Sequence, residues 1–264
     1  MTTPLDRVRN RYRSRIRQLD RLPDIGMQAA ALREAVTERT PHQAIVWLDE
    51  LVRGALWGHR PEMSIVVALA HWLIERDRDD EDYAFFEAVY RTCHEHDIQT
   101  LLFLLRDPPP HRELPDPSDL PDIRLPLDRD DITVGERRAL ARGSDRDVLD
   151  RLVMDPDPKV LDVLLGNPSI TQTEVLRVAS RRPTTAHHLR TVVSHLDWLQ
   201  LPEVRKAILL NPYSPTGISL KLLPTLGIHE LRRASFGSDL HPMVIEAAEL
   251  LVDLRETRTY PWEV

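Results

Sequence analysis

Apolar residues recur at spacings of three and four along most of this chain, and no stretch alternates strictly enough to compete as a strand. The pattern predicts an all-α protein. Leu5, Val8, Tyr12, Ile16 and Leu19 line one face of a first helix. Thr40-Pro41 sets a capping hydroxyl ahead of a proline at the first helical position, and the amphipathic run HQAIVWLDELVRGALWG follows. Pro61 opens another long run, EMSIVVALAHWLIERD, and DEDYAFFEAVYRTCHEHD is the next; its continuation, DIQTLLFLLRD, is apolar enough to be buried. Residues 107–131 break the pattern. They hold seven prolines and eight acidic residues in 25 positions, so they cannot sustain a helix and have little to bury. An extended linker is expected there, with Leu114, Leu120, Ile123, Leu125 and Leu127 as the side chains able to rest on a neighbouring surface.

Beyond the linker one phrase recurs. Gly143-Ser144, Asn167-Pro168, Arg182-Pro183, Asn211-Pro212 and Gly237-Ser238 each precede a short amphipathic run rich in leucine and valine, and the first and last copies lie 94 residues apart over four intervals, a mean of 23.5. Thr133 with Glu136, and Thr171 with Glu174, have the spacing of a capping box, in which hydroxyl and carboxylate each accept from the other residue's backbone N–H. Pro202 and Pro215 mark two further helix starts, and Asp155-Pro156-Asp157-Pro158 is a turn between helices. Units of this length bury a core by stacking on their neighbours.

VRKAILLNPYSPTGISLKLLP (204–224) resembles a leucine-rich repeat variant unit, a helix ending at Asn-Pro followed by a proline-capped helix, and VLDVLLGNPSITQTEVLRVA (160–179) is a looser match. The wider resemblance is to HEAT-like α-solenoids and covers about residues 133–256. It implies a curved superhelix of short helices with a groove that binds a partner segment. The prototype's iron–sulfur centre is not implied, because Cys93 is the only cysteine. The interval from Asn167 to Arg182 is 15 residues and the next is 29, so one central unit is irregular.

Composition agrees with helices. Nine glycines against 21 prolines fit proline-started helices better than a turn-rich β fold. The net charge of −7 argues against a general nucleic-acid binder. A lone cysteine excludes an intrachain disulfide, no run reaches a membrane span, and the start lacks a secretory signal, so a cytoplasmic location is expected.

Candidate chemistry is sparse. Arg138, Lys159, Arg182, Arg205 and Arg232 follow one another at 21, 23, 23 and 27 residues, and Lys206 and Arg233 extend two of these into pairs. Stacked units would bring them together as a basic ridge suited to an acidic peptide or a phosphate backbone. The first helix is rich in arginine (Arg7, Arg9, Arg11, Arg13, Arg15 and Arg17, with Arg21 following), so it is either docked by its apolar seam with the guanidinium groups in water, the preferred reading, or a contact for phosphate, anionic lipid or an acidic protein. Cys93-His94-Glu95-His96-Asp97 has ligand chemistry but not ligand spacing, since neighbours on a helix point about 100° apart. His187, His188 and His195 are expected in packing or surface roles. Trp262 either docks on an end of the repeat stack or lies in a frayed tail. No catalytic motif stands out. An enzyme would need a pocket joining Trp72, Cys93 and His96.

The expected architecture is an N-terminal helical domain over 1–106, an acidic Pro-rich linker over 107–128 and an α-solenoid over 129–264. The expected function is non-catalytic, a scaffold or adaptor without a cofactor that binds a protein partner along its groove, an acidic one where the basic ridge makes the contact. Nucleic-acid binding through the ridge is the alternative.

Overall fold

The structure, a computed structural model, describes residues 4–75, 82–110, 115–120 and 132–258. It is all-α, with no strand among those residues. The first six helices are α1 (Pro4–Asp20), α2 (Ile25–Thr37), α3 (Pro41–Leu56), α4 (Arg60–Glu75), α5 (Tyr83–Glu95) and α6 (Gln99–Leu104). Ten more follow: α7 (Val134–Leu140), α8 (Arg146–Leu152), α9 (Pro158–Leu165), α10 (Gln172–Ser180), α11 (Ala186–Ser194), α12 (Leu196–Leu199), α13 (Pro202–Leu209), α14 (Thr216–Leu222), α15 (Ile228–Ser235) and α16 (Pro242–Thr257).

The chain divides into two compact units. One comprises residues 1–108, 217–238 and 242–264, and the other residues 109–216 and 239–241. The boundary expected at residue 129 grouped α14–α16 with the preceding short helices. In the structure these three lie in the unit of α1–α6, where α16 packs on α3 and α6 as well as on α15.

In the first unit α3 and α4 are the centre. Both are buried nearly all round, and neighbours cover them on several sides: α1, α2 and α3 pack on α4, while α4, α5, α6 and α16 pack on α3. The Thr40 capping box with Gln43 starts α3, and Gly58, at φ +83°, ends it in the left-handed conformation that suits glycine. Asp49 is fully buried within this core. Its carboxylate accepts from Arg53 Nε and from Thr100 Oγ1, each at 2.6 Å, so the charge is neutralised where water is excluded. Lys221 of α14 is likewise buried and donates to Asp107, just beyond α6. Tyr12, Ile16 and Leu19 are buried as the seam predicts; the side chains of Leu5 and Val8 lie outside the described residues.

In the second unit the expected start signals are in place. Thr133 and Thr171 form capping boxes with Glu136 and Glu174, and Pro202 opens α13; Asp157, expected only as part of a turn, also caps α9 ahead of Pro158. Each such cap contributes on the order of 1 kcal/mol. The Asn-Pro phrase has a specific task. Asn167 Nδ2 donates to the carbonyls of Ala141 and Gly143, both at 2.7 Å, and its Oδ1 accepts from Ser169 N at 2.8 Å. Asn211 repeats this with Ala179 O (2.9 Å), Arg181 O (3.0 Å) and Tyr213 N (3.0 Å). Each amide thus satisfies carbonyls left free at a helix end, that of α7 across α8 and α9 in the first case and that of α10 across α11, α12 and α13 in the second. A carboxamide is needed because it alone combines two N–H donors with an acceptor in so short a side chain.

Of the linker's apolar residues Leu120 is buried; Leu114, Ile123, Leu125 and Leu127 lie outside the described residues, as does Trp262. No helix among the described residues is long and apolar enough to cross a membrane.

Candidate interaction surfaces

The seven basic residues predicted to form a ridge have different surroundings. Five belong to the second unit. Lys159 is exposed beside the α9 cap, and Arg182 is exposed with one Nη2 bond to Leu210 O at 2.7 Å. Arg138 is half-buried. Lys206, also half-buried, lies 3.4 Å from Glu203. Arg205 is only 6% exposed: its Nη1 donates to the carbonyls of Leu199 and Gln200, both at 2.7 Å, and burial pushes its pKa down to about 10. Its charge closes the end of α12 and is not offered to a partner. Arg232 and Arg233 belong to the other unit, on α15. Arg232 pairs with Glu256 at 2.6 Å, and Arg233 is exposed.

Beside Arg233 stands a residue that periodicity does not flag. Phe236, at the C-terminal cap of α15, is 86% exposed, the most exposed large apolar side chain among the described residues. The local sequence explains why. Leu231 and Ala234 form the buried stripe of α15, so Phe236 falls two residues past its last member, on the water side. An aromatic next to an arginine at a helix end has the composition of an interface anchor.

The outer face of α1 is basic. Arg13, Arg17 and Arg21 are exposed one helical turn apart and, with Ser14 and Gln18, line an open groove of about 280 Å³. The side chains of Arg7, Arg9 and Arg11 lie outside the described residues.

The remaining candidates sit in structural roles. Asp155 is fully buried at its predicted turn. It accepts from Arg137 Nε at 2.8 Å and from Asp157 N at 2.9 Å; burial raises its pKa and these bonds oppose the rise. The Asp155 carbonyl accepts from His188 Nε2 at 3.1 Å, and Arg181 Nη1 donates to Met154 O at 2.8 Å. Because a carbonyl only accepts, the His188 proton is on Nε2, and Nδ1 accepts from the Thr185 hydroxyl. Burial, first, and the nearby Arg181 charge lower the His188 pKa. His195 Nε2 meets Asp162 at 3.1 Å. The Glu174 carboxylate is held down to about 2 by the Thr171 hydroxyl, at 2.5 Å, and by Arg146, at 2.6 Å.

Cys93 is buried and its thiol is pushed up to about 12, first by burial and then by the Asp49 charge, so it stays protonated. His94, Glu95, His96 and Asp97 are exposed, away from it, and the His96 ring packs edge-on against His42. Among the described residues no group of three or more His, Cys, Asp or Glu is placed to hold a metal ion. Trp72 donates to Asp82 at 3.0 Å and packs on Phe86, while Cys93 is buried and His96 exposed. No protein-family model, curated protein or solved structure matches this chain.

Proposed function

We propose that the chain is a non-catalytic protein-interaction scaffold or adaptor. The observation that carries this reading is Phe236, held 86% in water beside the exposed Arg233 on a well-packed helix end. Such a side chain loses apolar surface to water only when a partner covers it. The partner chemistry that fits is an apolar pocket with a carboxylate on its rim. Lys159 and Arg182 provide a second, polar contact area on the other unit. The finer architecture belongs to the same proposal: residues 133–216 are HEAT-like stacked units of the leucine-rich-repeat-variant kind. The twice-used asparagine bridge supports this, since equivalent bonds at equivalent places are what stacking units require.

The test uses the full chain, because residues 129–264 alone would separate α14–α16 from the helices they pack on. Tagged protein is cross-linked in its host, treated with nuclease and recovered. Wild type is compared with Phe236→Ala/Arg233→Glu and with Lys159→Glu/Arg182→Glu. The reading expects a protein recovered in fixed ratio, reduced about tenfold or more by the first pair of changes. Undiminished recovery with both variants overturns it. Loss of every partner on nuclease treatment assigns the basic residues to a phosphate backbone instead.

A further inference from the structure

Two helices of the first unit carry opposite charges in rows of similar length, the basic one running to Arg21 just past the end of α1. On α16 the exposed positions between Glu246 and Glu256 are Glu246, Glu249, Asp253 and Glu256, every one acidic. The alternation of three and four residues keeps them on one face, opposite the buried Val244, Ala247, Ala248, Leu251 and Leu254. Glu256 is already paired with Arg232, but Glu246, Glu249 and Asp253 have no ion-pair partner among the described residues. The same holds for Arg13, Arg17 and Arg21 of the α1 face. At 1.5 Å per residue the basic row spans about 12 Å and the acidic row about 10.5 Å. We infer that α1 of one copy of this chain docks along α16 of a second copy, guanidinium row against carboxylate row.

Other occupants of the basic row are less well matched. Insertion into a lipid surface needs the apolar face of α1, and Tyr12, Ile16 and Leu19 are already buried in the unit's own core. A nucleic acid would meet a chain of net charge −7 whose acidic α16 belongs to the same unit as the arginines. A second copy supplies three carboxylates over nearly the same length, at steps of three and four residues against the row's steps of four. Asp20, exposed beside Arg21, lies about 100° round the helix and flanks the row without interrupting it. Because the two faces differ, the contact is heterologous.

Exposed ion pairs are individually weak and screened by salt, so association with a dissociation constant between about 1 µM and 1 mM is expected, falling as salt rises. The experiment is sedimentation velocity of the nuclease-treated full chain across a concentration series, at about 0.01 M and about 1 M salt, with circular dichroism as the check on folding. Two variants are made, Arg13→Glu/Arg17→Glu/Arg21→Glu and Glu246→Arg/Glu249→Arg/Asp253→Arg. Wild type should sediment faster with concentration at low salt only. Each variant alone should stay monomeric, because its two faces then carry like charge. An equimolar mixture of the two should associate, since the reversed rows complement each other. Concentration-independent sedimentation of wild type at low salt overturns the proposal. So does association of either variant alone, or failure of the two folded variants to associate when mixed. The proposal does not rest on the scaffold reading, whose test uses Phe236, Arg233, Lys159 and Arg182, so either can fail without the other.

Discussion

Replacing Asn211 by leucine tests the asparagine bridge most directly. The volume is nearly kept, while three hydrogen bonds are lost: two from Nδ2 to Ala179 O and Arg181 O, and one from Tyr213 N to Oδ1. Asn211 is 1% exposed and both of its bonds to carbonyls are buried, so water cannot replace the amide. Two stranded acceptors and one lost donor partner amount to about 3–5 kcal/mol of stability. Asn167→Leu should cost less, about 2–3 kcal/mol, because Gly143 is exposed and its carbonyl regains water. Asn211→Asp should be at least as harmful as Asn211→Leu near neutral pH, since it turns a carboxylate oxygen towards two carbonyls. Its cost should ease as pH falls and the carboxyl regains a proton to donate. Urea denaturation followed by far-ultraviolet circular dichroism, with midpoint and slope fitted separately, measures all three. A cost for Asn211→Leu below about 0.5 kcal/mol, or a larger cost at Asn167 than at Asn211, would refute the reasoning.

Two other expectations concern stability. Burial depresses the His188 pKa below its ordinary value of 6.5, and the same holds for His71, so the folded state takes up these protons later than the unfolded chain does. Stability should therefore be full above about pH 6.5 and decline as pH falls from there towards the depressed values; His188→Gln should flatten that slope, read as urea midpoint against pH. In the first unit, a Cβ added at Gly217 would overlap Asp107 Oδ1 and stand 3.2 Å from Lys221 Nζ, so Gly217→Ala should push the carboxylate aside from the buried ammonium. A loss of about 1 kcal/mol in thermal or urea unfolding is expected, since Asp107 is partly exposed and can turn aside, and an unchanged midpoint would mean that it swings clear at no cost.

Local signals in the sequence proved legible where their cause is local. Thr40, Thr133, Thr171 and Pro202 start helices because capping and proline geometry act within one turn. The seam of Tyr12, Ile16 and Leu19 could be read from spacing for the same reason. The Asn-Pro phrase was visible, but its task was not, because the carbonyls that Asn167 and Asn211 hold lie 24 to 32 residues earlier. Arg205 shows the limit of periodicity. Its spacing from Arg182 suggested a shared outer face, yet the α12 turn left two carbonyls without donors, and the nearest guanidinium turned inward to fill them. Phe236 went unnoticed because a single aromatic past the end of a stripe looks like part of it until burial is known. That α16 covers α3 and α6 follows from shapes and areas that no spacing encodes.

The sharing of one compact unit between segments far apart in the chain bears on how the protein is made. When residue 108 leaves the ribosome, α3 and α6 have been synthesised but α16, which covers both, has not. At 5–20 residues per second, reaching Thr257 takes roughly 7–30 s more. The intervening helices can complete their own unit in that time, while an apolar side of the N-terminal helices waits in water. Helix α16 is thus a lid on helices made well before it, and nascent chains stalled before α16 should be the form that engages chaperones.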